Sequence, residues 1–305
     1  MNEICSIFNR ITTFWTITNW PNQIDNKIFF KEIIEYVLSS ILHYSSLVQE
    51  QNHNLLMLLK SKDTQPTINL FLQLMLTAND IHRIRDAMKK FVNDMLEVAN
   101  TNKTNPELNE EVILTIANNV LLQTVSKTLE IIVDYKITCE FESFFFYLFE
   151  SPESATAQEG VSRLLNHLNA QLCELKSISF KISFDKLIKI LWARILDHIE
   201  LNIISDKSRS RSFFTKMNES VDILINFFSS ISEGRTKEYL KSMDKCISLK
   251  TRLSLQTHET THLIQMFYQK MAQMQSTLNT AHYGKFLCQA YYINKKETLV
   301  VEGNI

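Results

Sequence analysis

The sequence predicts an all-α protein, an elongated rod of stacked antiparallel helical bundles that ends in a short β-hairpin. The 305 residues include only 4 Gly and 4 Pro, the residues that sheets and glycine-rich cofactor loops need at their turns. Apolar side chains recur in alternating steps of four and three residues, which places them on one face of a helix. Both observations favour helices.

In the first half of the chain, prolines and polar stretches separate the predicted helices. We expect helices over 3–18, 25–60, 67–100 and 106–135, with loops at 61–66 and 100–106. Proline disfavours a helical conformation in the residue before it and suits the first position of a helix. Helices of roughly 30 residues are about 45 Å long, and packing them side by side predicts a rod. The second helix should bury Ile33, Val37, Ile41 and Tyr44, and the third carries a basic face of Arg83, Arg85, Lys89 and Lys90.

The second half is predicted to begin with a short aromatic helix over 141–149, followed by one antiparallel bundle over 151–270. Three of its helices carry an apolar stripe that the neighbouring helices must cover. The stripes are Val161, Leu165, Leu168, Leu172 and Leu175; Phe184, Ile188, Leu191, Ile195 and Ile199; and Phe214, Met217, Val221, Leu224 and Phe228. Trp192 lies beside the second stripe, where we expect a packing anchor. The charged segment 206–212 is interpreted as a solvated turn, and contact with acidic lipid or an acidic partner is the alternative.

The periodicity changes after about residue 280. Residues 285–293 alternate apolar and polar side chains, 294–297 have the composition of a turn, and 298–301 have that of a second strand. A lone two-stranded hairpin is marginal in water. The pattern therefore predicts the beginning of a β-domain that the chain does not complete.

Composition and charge exclude several classes of function. The net charge of -1 gives no indication of nucleic-acid binding. Charged residues interrupt each apolar run before it reaches the length of a membrane span, and the first residues do not resemble a secretory signal. The five cysteines form no CxxC pair, which favours reduced thiols and a cytoplasmic location.

One motif has the spacing of a metal site. His258, Glu259 and His262 match HExxH, in which two histidines one helical turn apart bind zinc and the glutamate activates water. Gln265 and Tyr268 stand where the extended motif needs Gly and His, and catalytic zinc needs three protein ligands. We therefore assign no catalytic, cofactor-binding or metal residue and expect no cofactor. A zinc-dependent metallohydrolase remains the alternative from another class.

Several segments, in order along the chain, resemble one known family. Residues 164–175 resemble the LLdyLdxnLxxL helix of the MUN-domain vesicle-priming proteins, the Munc-thirteen (Unc-thirteen) family. Phe184 with 191–197 is similar to the F, lW and vLd positions of the family's next helix. The family's next segment contains FF, a second FF and GxG. The similar positions here are Phe213 with Phe214, residues 224–228, and Gly234. Residues 259–264 resemble sTEeLI, which places His262 on an acidic or polar position of the family.

The similarity extends to both ends of the chain. Phe14 and Trp15 with Trp20 and Pro21 resemble the FW and WP pairs of the first Munc-homology region. Residues 76–85, with Asn79 at the centre, resemble the vlNnIehvR helix. Residues 283–286 and 299–301 resemble the opening strands of the C2 domain that follows in the family. The shorter members, the Munc-thirteen-four and brain-angiogenesis-inhibitor-associated types, are the more similar.

The resemblance implies a domain plan and a function. Residues 1–150 would correspond to the end of the first Munc-homology region and the middle of the MUN domain, 151–282 to the second Munc-homology region, and 283–305 to a truncated C2 domain. The implied activity is non-enzymatic: vesicle priming or tethering that promotes SNARE assembly in regulated exocytosis. The implied partners are syntaxin-type SNARE proteins and their regulators, with peripheral contact to vesicle or plasma membrane. A tethering-complex subunit of similar helical-rod fold is the remaining alternative.

Overall fold

The computed structural model describes residues 2–17, 23–60, 68–101, 110–139, 141–150, 155–205 and 210–256. Every regular element in these ranges is helical, which confirms the all-α prediction for this part of the chain. The helices are α1 (Asn2–Ile17), α2 (Gln23–Lys60), α3 (Ile68–Thr101), α4 (Glu110–Ile132), α5 (Phe141–Glu150), α6 (Ala157–Ile178), α7 (Lys181–Ser205), α8 (Arg211–Ile231), α9 (Lys237–Ser242) and α10 (Asp244–Gln256). None of the helices in these ranges has an apolar stretch long enough to cross a bilayer.

Some predictions fall outside the described residues. The hairpin over 285–301, the HExxH motif at 258–262 and most of the charged segment 206–212 are among them. Helix α3 continues through Thr101, into the stretch predicted as a loop over 100–106, and residues 102–106 lie outside the described residues.

The described chain forms two compact units, and neither is one continuous stretch of sequence. The first unit contains the described residues up to Cys139 together with Asn169–Ile190. The second contains Glu140–Leu168 together with the described residues from Leu191 onward. Helices α6 and α7 therefore each contribute residues to both units.

In the first unit, α2 and α4 pack along an apolar stripe that includes polar pairs. The buried stripe of α2 is Ile34, Val37, Ile41, Ser45, Val48 and Asn52, so Val37 and Ile41 were predicted correctly, whereas Ile33 and Tyr44 are only half-buried. The Asn52 amide donates to Thr128 Oγ1 at 2.9 Å, and the Gln49 amide donates to Thr124 Oγ1 at 3.2 Å. Because buried polar groups are costly without partners, these bonds favour one register of α2 against α4.

A π-helical turn, Val133–Ile137, extends α4. Its signature is the Thr138 N–H, which donates to the Val133 carbonyl at 2.9 Å across five residues. The turn places Lys136 in the interior of the first unit, where the ammonium lies 2.9 Å from a Glu174 carboxylate oxygen and 5.6 Å from the centre of the Phe71 ring. Lys136 thereby joins the π turn to α3 and to the end of α6.

The apolar stripes predicted on α6, α7 and α8 are largely buried; Leu172, Leu175, Phe184 and Ile188 belong to the first unit and the other positions to the second. All five residues predicted on α7 and all five on α8 are buried. On α6, Leu164 is buried instead of Leu165, which is half-buried; the other four predicted positions are correct. Helix α6 begins with a capping box, in which the Thr156 N–H donates to Glu159 Oε2 at 2.6 Å and the Glu159 N–H donates to Thr156 Oγ1 at 3.2 Å.

A tight turn and three ion pairs fix α9 and α10. Gly234 has φ of +82°, a left-handed conformation that glycine adopts without strain, and its N–H donates to the Ser229 carbonyl at 2.7 Å. Helix α10 then forms ion pairs with α7 and α8: Lys245 with Asp197 at 2.6 Å, Lys250 with Asp222 at 2.5 Å, and Arg252 with Glu200 at 2.5 Å. Pairs this exposed contribute little energy individually, but they define the orientation of α10.

Candidate functional site

Asn79 holds the turn between α6 and α7 from a position about one hundred residues earlier in the chain. Its Nδ2 donates to the Ile178 carbonyl at 2.9 Å, and its Oδ1 accepts from the Phe180 N–H at 2.9 Å. The side chain is buried. An amide is the side chain that supplies a donor and an acceptor together. The asparagine at the centre of the predicted motif over 76–85 is thus a structural clamp.

The basic face predicted on α3 divides into two. Arg83 and Arg85 are two residues apart, so they point about 200° apart around the helix. The Arg83 guanidinium carbon lies 4.5 Å from the centre of the Phe180 ring, and Nη1 lies 3.5 Å from Asp80. Arg85 lies 3.5 Å from Asp86. Both arginines already have partners, whereas Lys89 and Lys90 are exposed, so this helix does not present one continuous basic surface.

Trp192 is the packing anchor that its position predicts. The side chain is fully buried, and its ring meets the Phe228 ring edge to face, with centroids 5.9 Å apart. The indole N–H donates to the Leu240 carbonyl at 3.1 Å. Trp192 therefore joins α7, α8 and α9 and satisfies its single polar group.

The aromatic helix α5 has a buried side and an exposed side. Phe141, Phe145 and Phe149 are buried. His167 stacks on Phe144 with centroids 4.5 Å apart, and the centres of the His198 and Phe145 rings also lie 4.5 Å apart. On the other side, Phe146 and Tyr147 are 61% and 45% exposed, and the Arg163 guanidinium lies 3.7 Å from the Tyr147 ring centre.

Helix α2 exposes large apolar side chains on one face. Tyr36 is 73% and Leu47 44% exposed. They are eleven residues apart, slightly more than three complete turns, so they point in nearly the same direction. Leu58, eleven residues further on, is also exposed. A helix of 38 residues is about 57 Å long. We call the face that carries Tyr36 and Leu47 the α2 face.

Within the ranges that the structure describes, no three His, Cys, Asp or Glu side chains lie close enough together to hold a metal ion. His258, Glu259 and His262 lie outside those ranges. The cysteines with described side chains, Cys139, Cys173 and Cys246, form no disulfide.

Sequence reasoning missed three features that depend on contacts between distant segments. These are the Asn79 clamp, the interior position of Lys136 and the burial of His82, which is 3% exposed. A signal for the first existed, because an Asn on the apolar side of a helix has to find partners. The burial of His82 also had a signal, because it follows Met75 and Ala78 in steps of three and four along the apolar side of the helix. The position of Lys136 had no signal in local periodicity.

The fold and its surfaces define a class of protein: in its described part, an all-α module with long helices, exposed apolar side chains on α2 and no cluster of metal-ligating side chains. Comparison with known proteins agrees with this class. The chain is 23% identical over 302 residues to protein unc-13 homolog 4B of Drosophila melanogaster, an alignment that covers 94% of this chain and 25% of that protein.

BAI1-associated protein 3 is also similar. The human protein is 23% identical over 181 residues, or 59% of this chain and 15% of that protein. The mouse protein is 23% identical over 167 residues, or 55% and 14%. The chain thus spans a quarter or less of the length of these relatives. No family model matches the chain, and no solved structure matches it.

Proposed function

We propose that the chain is a non-enzymatic part of the vesicle-trafficking machinery that promotes SNARE assembly in regulated exocytosis. The observation that carries the proposal is the similarity to protein unc-13 homolog 4B, which extends over 94% of the chain. The helical architecture of the described residues agrees with the sequence motifs of the MUN-domain family. The location that follows is cytoplasmic, at the periphery of a vesicle or the plasma membrane.

The proposed mechanism is binding. A SNARE protein of the syntaxin type contributes an amphipathic helix, which lies along the α2 face and buries Tyr36 and Leu47. Burial of a Leu side chain contributes about 1.5–3 kcal/mol, and a large aromatic such as Tyr contributes at least as much area. Holding one SNARE helix extended along α2 would keep it available for its partners and lower the barrier to their assembly. No bond is broken in this process.

The test compares two double variants. Tyr36→Ala with Leu47→Ala removes the two exposed apolar groups of the α2 face. Leu76→Ala with Leu201→Ala is the matched control, because both leucines are exposed and lie on other helices. Exposed substitutions change the free energy of unfolding by about 0.5 kcal/mol or less, so both variants should fold.

Binding of a syntaxin-type SNARE is measured by titration with the labelled protein. We expect the first variant to weaken binding roughly tenfold or more, which corresponds to about 1.4 kcal/mol, and the control to bind as the parent does. Equal losses in the two variants would refute the α2 face as the binding surface. Absence of any SNARE binding by the parent chain would refute the proposed function itself.

The enzymatic alternative has its own test. Because HExxH at 258–262 has no third ligand in the sequence, we expect no stoichiometric zinc after dialysis and no peptidase activity. Metal analysis of the parent and a His262→Ala variant checks this. One tightly held zinc per chain in the parent, lost in the variant, would replace the trafficking proposal by a metallohydrolase.

The proposed domain plan also follows from the resemblance. Residues 1–150 and 151–282 would correspond to successive parts of the MUN region, and 283–305 to the start of a C2 domain. The tethering-complex alternative shares the helical fold and lacks the C2 domain. Sequencing the complete transcript distinguishes the two: coding sequence for a C2 domain after residue 283 supports priming, and its absence favours tethering.

A further inference from the structure

A cavity with an unusual lining lies within the first compact unit. Its volume is about 390 Å³, and α3, α4 and the beginning of α7 form its walls. Leu122 and Val125 of α4 and Ile182 of α7 supply apolar surface. Lys181, Lys186 and Lys189 of α7 also line it, with Asp185 as the acidic residue among them. The lining charges therefore sum to about +2, on a protein whose net charge is -1.

His82 lines the cavity from α3. The side chain is only 3% exposed, and neither ring nitrogen has a hydrogen-bond partner. Leaving a buried polar group unpaired typically costs about 1–3 kcal/mol, and such groups are rare in folded proteins. An apolar residue of similar size would fill the same space at lower cost. The unpaired imidazole in the cavity wall is the feature that packing does not explain.

The positive charges are placed to receive an anion. Lys181 is the first residue of α7, and Lys186 and Lys189 follow within the next two turns. The amino end of a helix carries a partial positive charge and unsatisfied N–H groups. Lys181 and Lys186 are exposed, and among the residues that the structure describes they form no ion pair. Their ammonium groups are available at the mouth of the cavity.

We propose that this cavity binds a phosphate ester carried on a small organic body. The phosphate would accept hydrogen bonds from Lys181, Lys186 and the His82 imidazole, and the body would lie on Leu122, Val125 and Ile182. Inorganic phosphate alone is too small for the cavity, because volumes of about 300–1,000 Å³ accommodate whole organic ligands. The ligand is a soluble polyol phosphate or the headgroup of a phosphorylated lipid. This site is separate from the α2 face.

Burial, assisted by the positive charges of Arg85 and Lys186, lowers the pKa of His82 to about 4, and Asp86 partly opposes the shift. The imidazole is thus neutral near pH 7, with one N–H to donate and one nitrogen to accept. A bound phosphate would favour the imidazolium and raise the pKa of His82. The NMR signals of the His82 ring therefore report directly on occupation of the cavity.

The test uses the full chain and three probes: inorganic phosphate, myo-inositol trisphosphate, and phosphatidylcholine vesicles with and without phosphatidylinositol bisphosphate. Lys181→Ala with Lys186→Ala removes the two lysines at the mouth of the cavity. Lys89→Ala with Lys90→Ala is the matched control, because it removes the same charge from exposed positions outside the lining. Thermal melts check that both variants fold. His82→Leu is the third variant, since it removes the unpaired nitrogens and retains an apolar side chain.

We expect the polyol phosphate to bind the parent and to shift the NMR signals of the His82 ring. It should bind the Lys181/Lys186 variant and the His82→Leu variant roughly tenfold or more weakly. The Lys89/Lys90 control should bind as the parent does. Binding only to vesicles that contain the phosphorylated lipid, again lost in the cavity variants, would support the site and identify its ligand as a lipid headgroup. Equal weakening in the control, or no binding of any probe, would overturn the proposal. Neither outcome depends on SNARE binding.

Discussion

Whether a buried polar side chain has a hydrogen-bond partner distinguishes residues that stabilise the fold from the candidate ligand site. The Trp192 indole N–H reaches the Leu240 carbonyl, and both ends of the Asn79 amide reach backbone groups. The His82 nitrogens have no such partners. Because an unpaired buried polar group is costly and a paired one is nearly neutral, we interpret the first two residues as parts of the fold and the third as part of a binding site.

Trp192→Ala should destabilise the second unit by about 3–5 kcal/mol, the range for loss of a large buried aromatic. The variant removes the contact with Phe228 and leaves the Leu240 carbonyl without its donor. Denaturant unfolding measures the change in the free energy of unfolding. SNARE binding, measured well below the melting temperature, should survive, because Trp192 lies in the core.

Trp192→Phe is the matched control. It keeps an aromatic ring and removes the indole N–H, so the cost should be smaller, on the order of 1–3 kcal/mol. An unchanged melt in Trp192→Ala together with lost SNARE binding would show that Trp192 is an exposed contact and that this packing is wrong.

His82 should also make stability depend on pH. The pKa of His82 is about 4 in the folded chain, chiefly because of burial and then because of Arg85 and Lys186, with Asp86 in opposition; in the unfolded chain it is near the ordinary value of about 6.5. Between these values the unfolded state binds a proton that the folded state does not. The free energy of unfolding should therefore fall as the pH decreases from about 6.5 towards 4, by up to about 1.4 kcal/mol per pH unit.

Other charges face the same cavity, namely Lys181, Asp185 and Lys189 on α7, while the lining residues of α4 are apolar. The contribution of His82 is isolated by comparing the pH dependence of stability in the parent and in His82→Leu, where this part of the slope should disappear. His53→Leu, on an exposed position of α2, serves as the control. Parallel curves for the parent and His82→Leu would contradict the expected role of burial.

At the scale of whole helices, apolar periodicity determined most of what could be predicted. The stripes of α7 and α8 were correct because the regular spacing of apolar residues along a helix records which positions face its neighbours. The start of α6 has a recognisable capping box, Thr156 and Glu159. The prediction named Leu165 instead of Leu164 as buried, because two adjacent leucines both fit the periodic pattern.

The turn between α6 and α7 depends on Asn79, and Asn79→Ala should reveal this. The variant leaves the Ile178 carbonyl and the Phe180 N–H without partners, which predicts a loss of roughly 2–4 kcal/mol in the free energy of unfolding. Faster amide hydrogen exchange at Phe180 is the local readout. Asn52→Ala is the control, since Asn52 is also buried but donates one hydrogen bond, to a side chain. Equal losses in the two variants would contradict the clamp.

The remaining structure could not be predicted from the sequence because it depends on distant partners. The π turn adds one residue to a helical turn and brings Lys136 to Glu174 and Phe71, which lie far from it in the sequence. The pairing of Asn52 with Thr128 likewise spans 76 residues. The cavity arises where α3, α4 and α7 meet, so no single helix carries its pattern.

At the scale of the molecule, the elongated form remains our proposal. Compact packing of 305 residues implies a radius of gyration of about 19 Å. A rod of stacked bundles should give a clearly larger value in small-angle scattering from the monodisperse chain. The concentration series is the control, because self-association also raises the radius. A value near about 19 Å that does not change with concentration would contradict the rod.

The similarity to protein unc-13 homolog 4B covers 94% of this chain but only 25% of that protein. The α2 face and the phosphate cavity are both on the first unit, and each has a variant that leaves the other intact. Their contributions can therefore be measured separately in the same SNARE-assembly experiment.

Neither compact unit is one continuous stretch of sequence, and this affects how the chain folds during synthesis on the ribosome. Asn79 emerges early, yet the Ile178 and Phe180 backbone groups that it binds emerge about one hundred residues later. The first unit is incomplete until residue 190 has left the exit tunnel, and by then residues 141–168 of the second unit are already outside. The first unit therefore cannot finish folding until part of the second unit has been synthesised. A messenger RNA cut before codon 178 would therefore yield a nascent chain that cannot close its first unit.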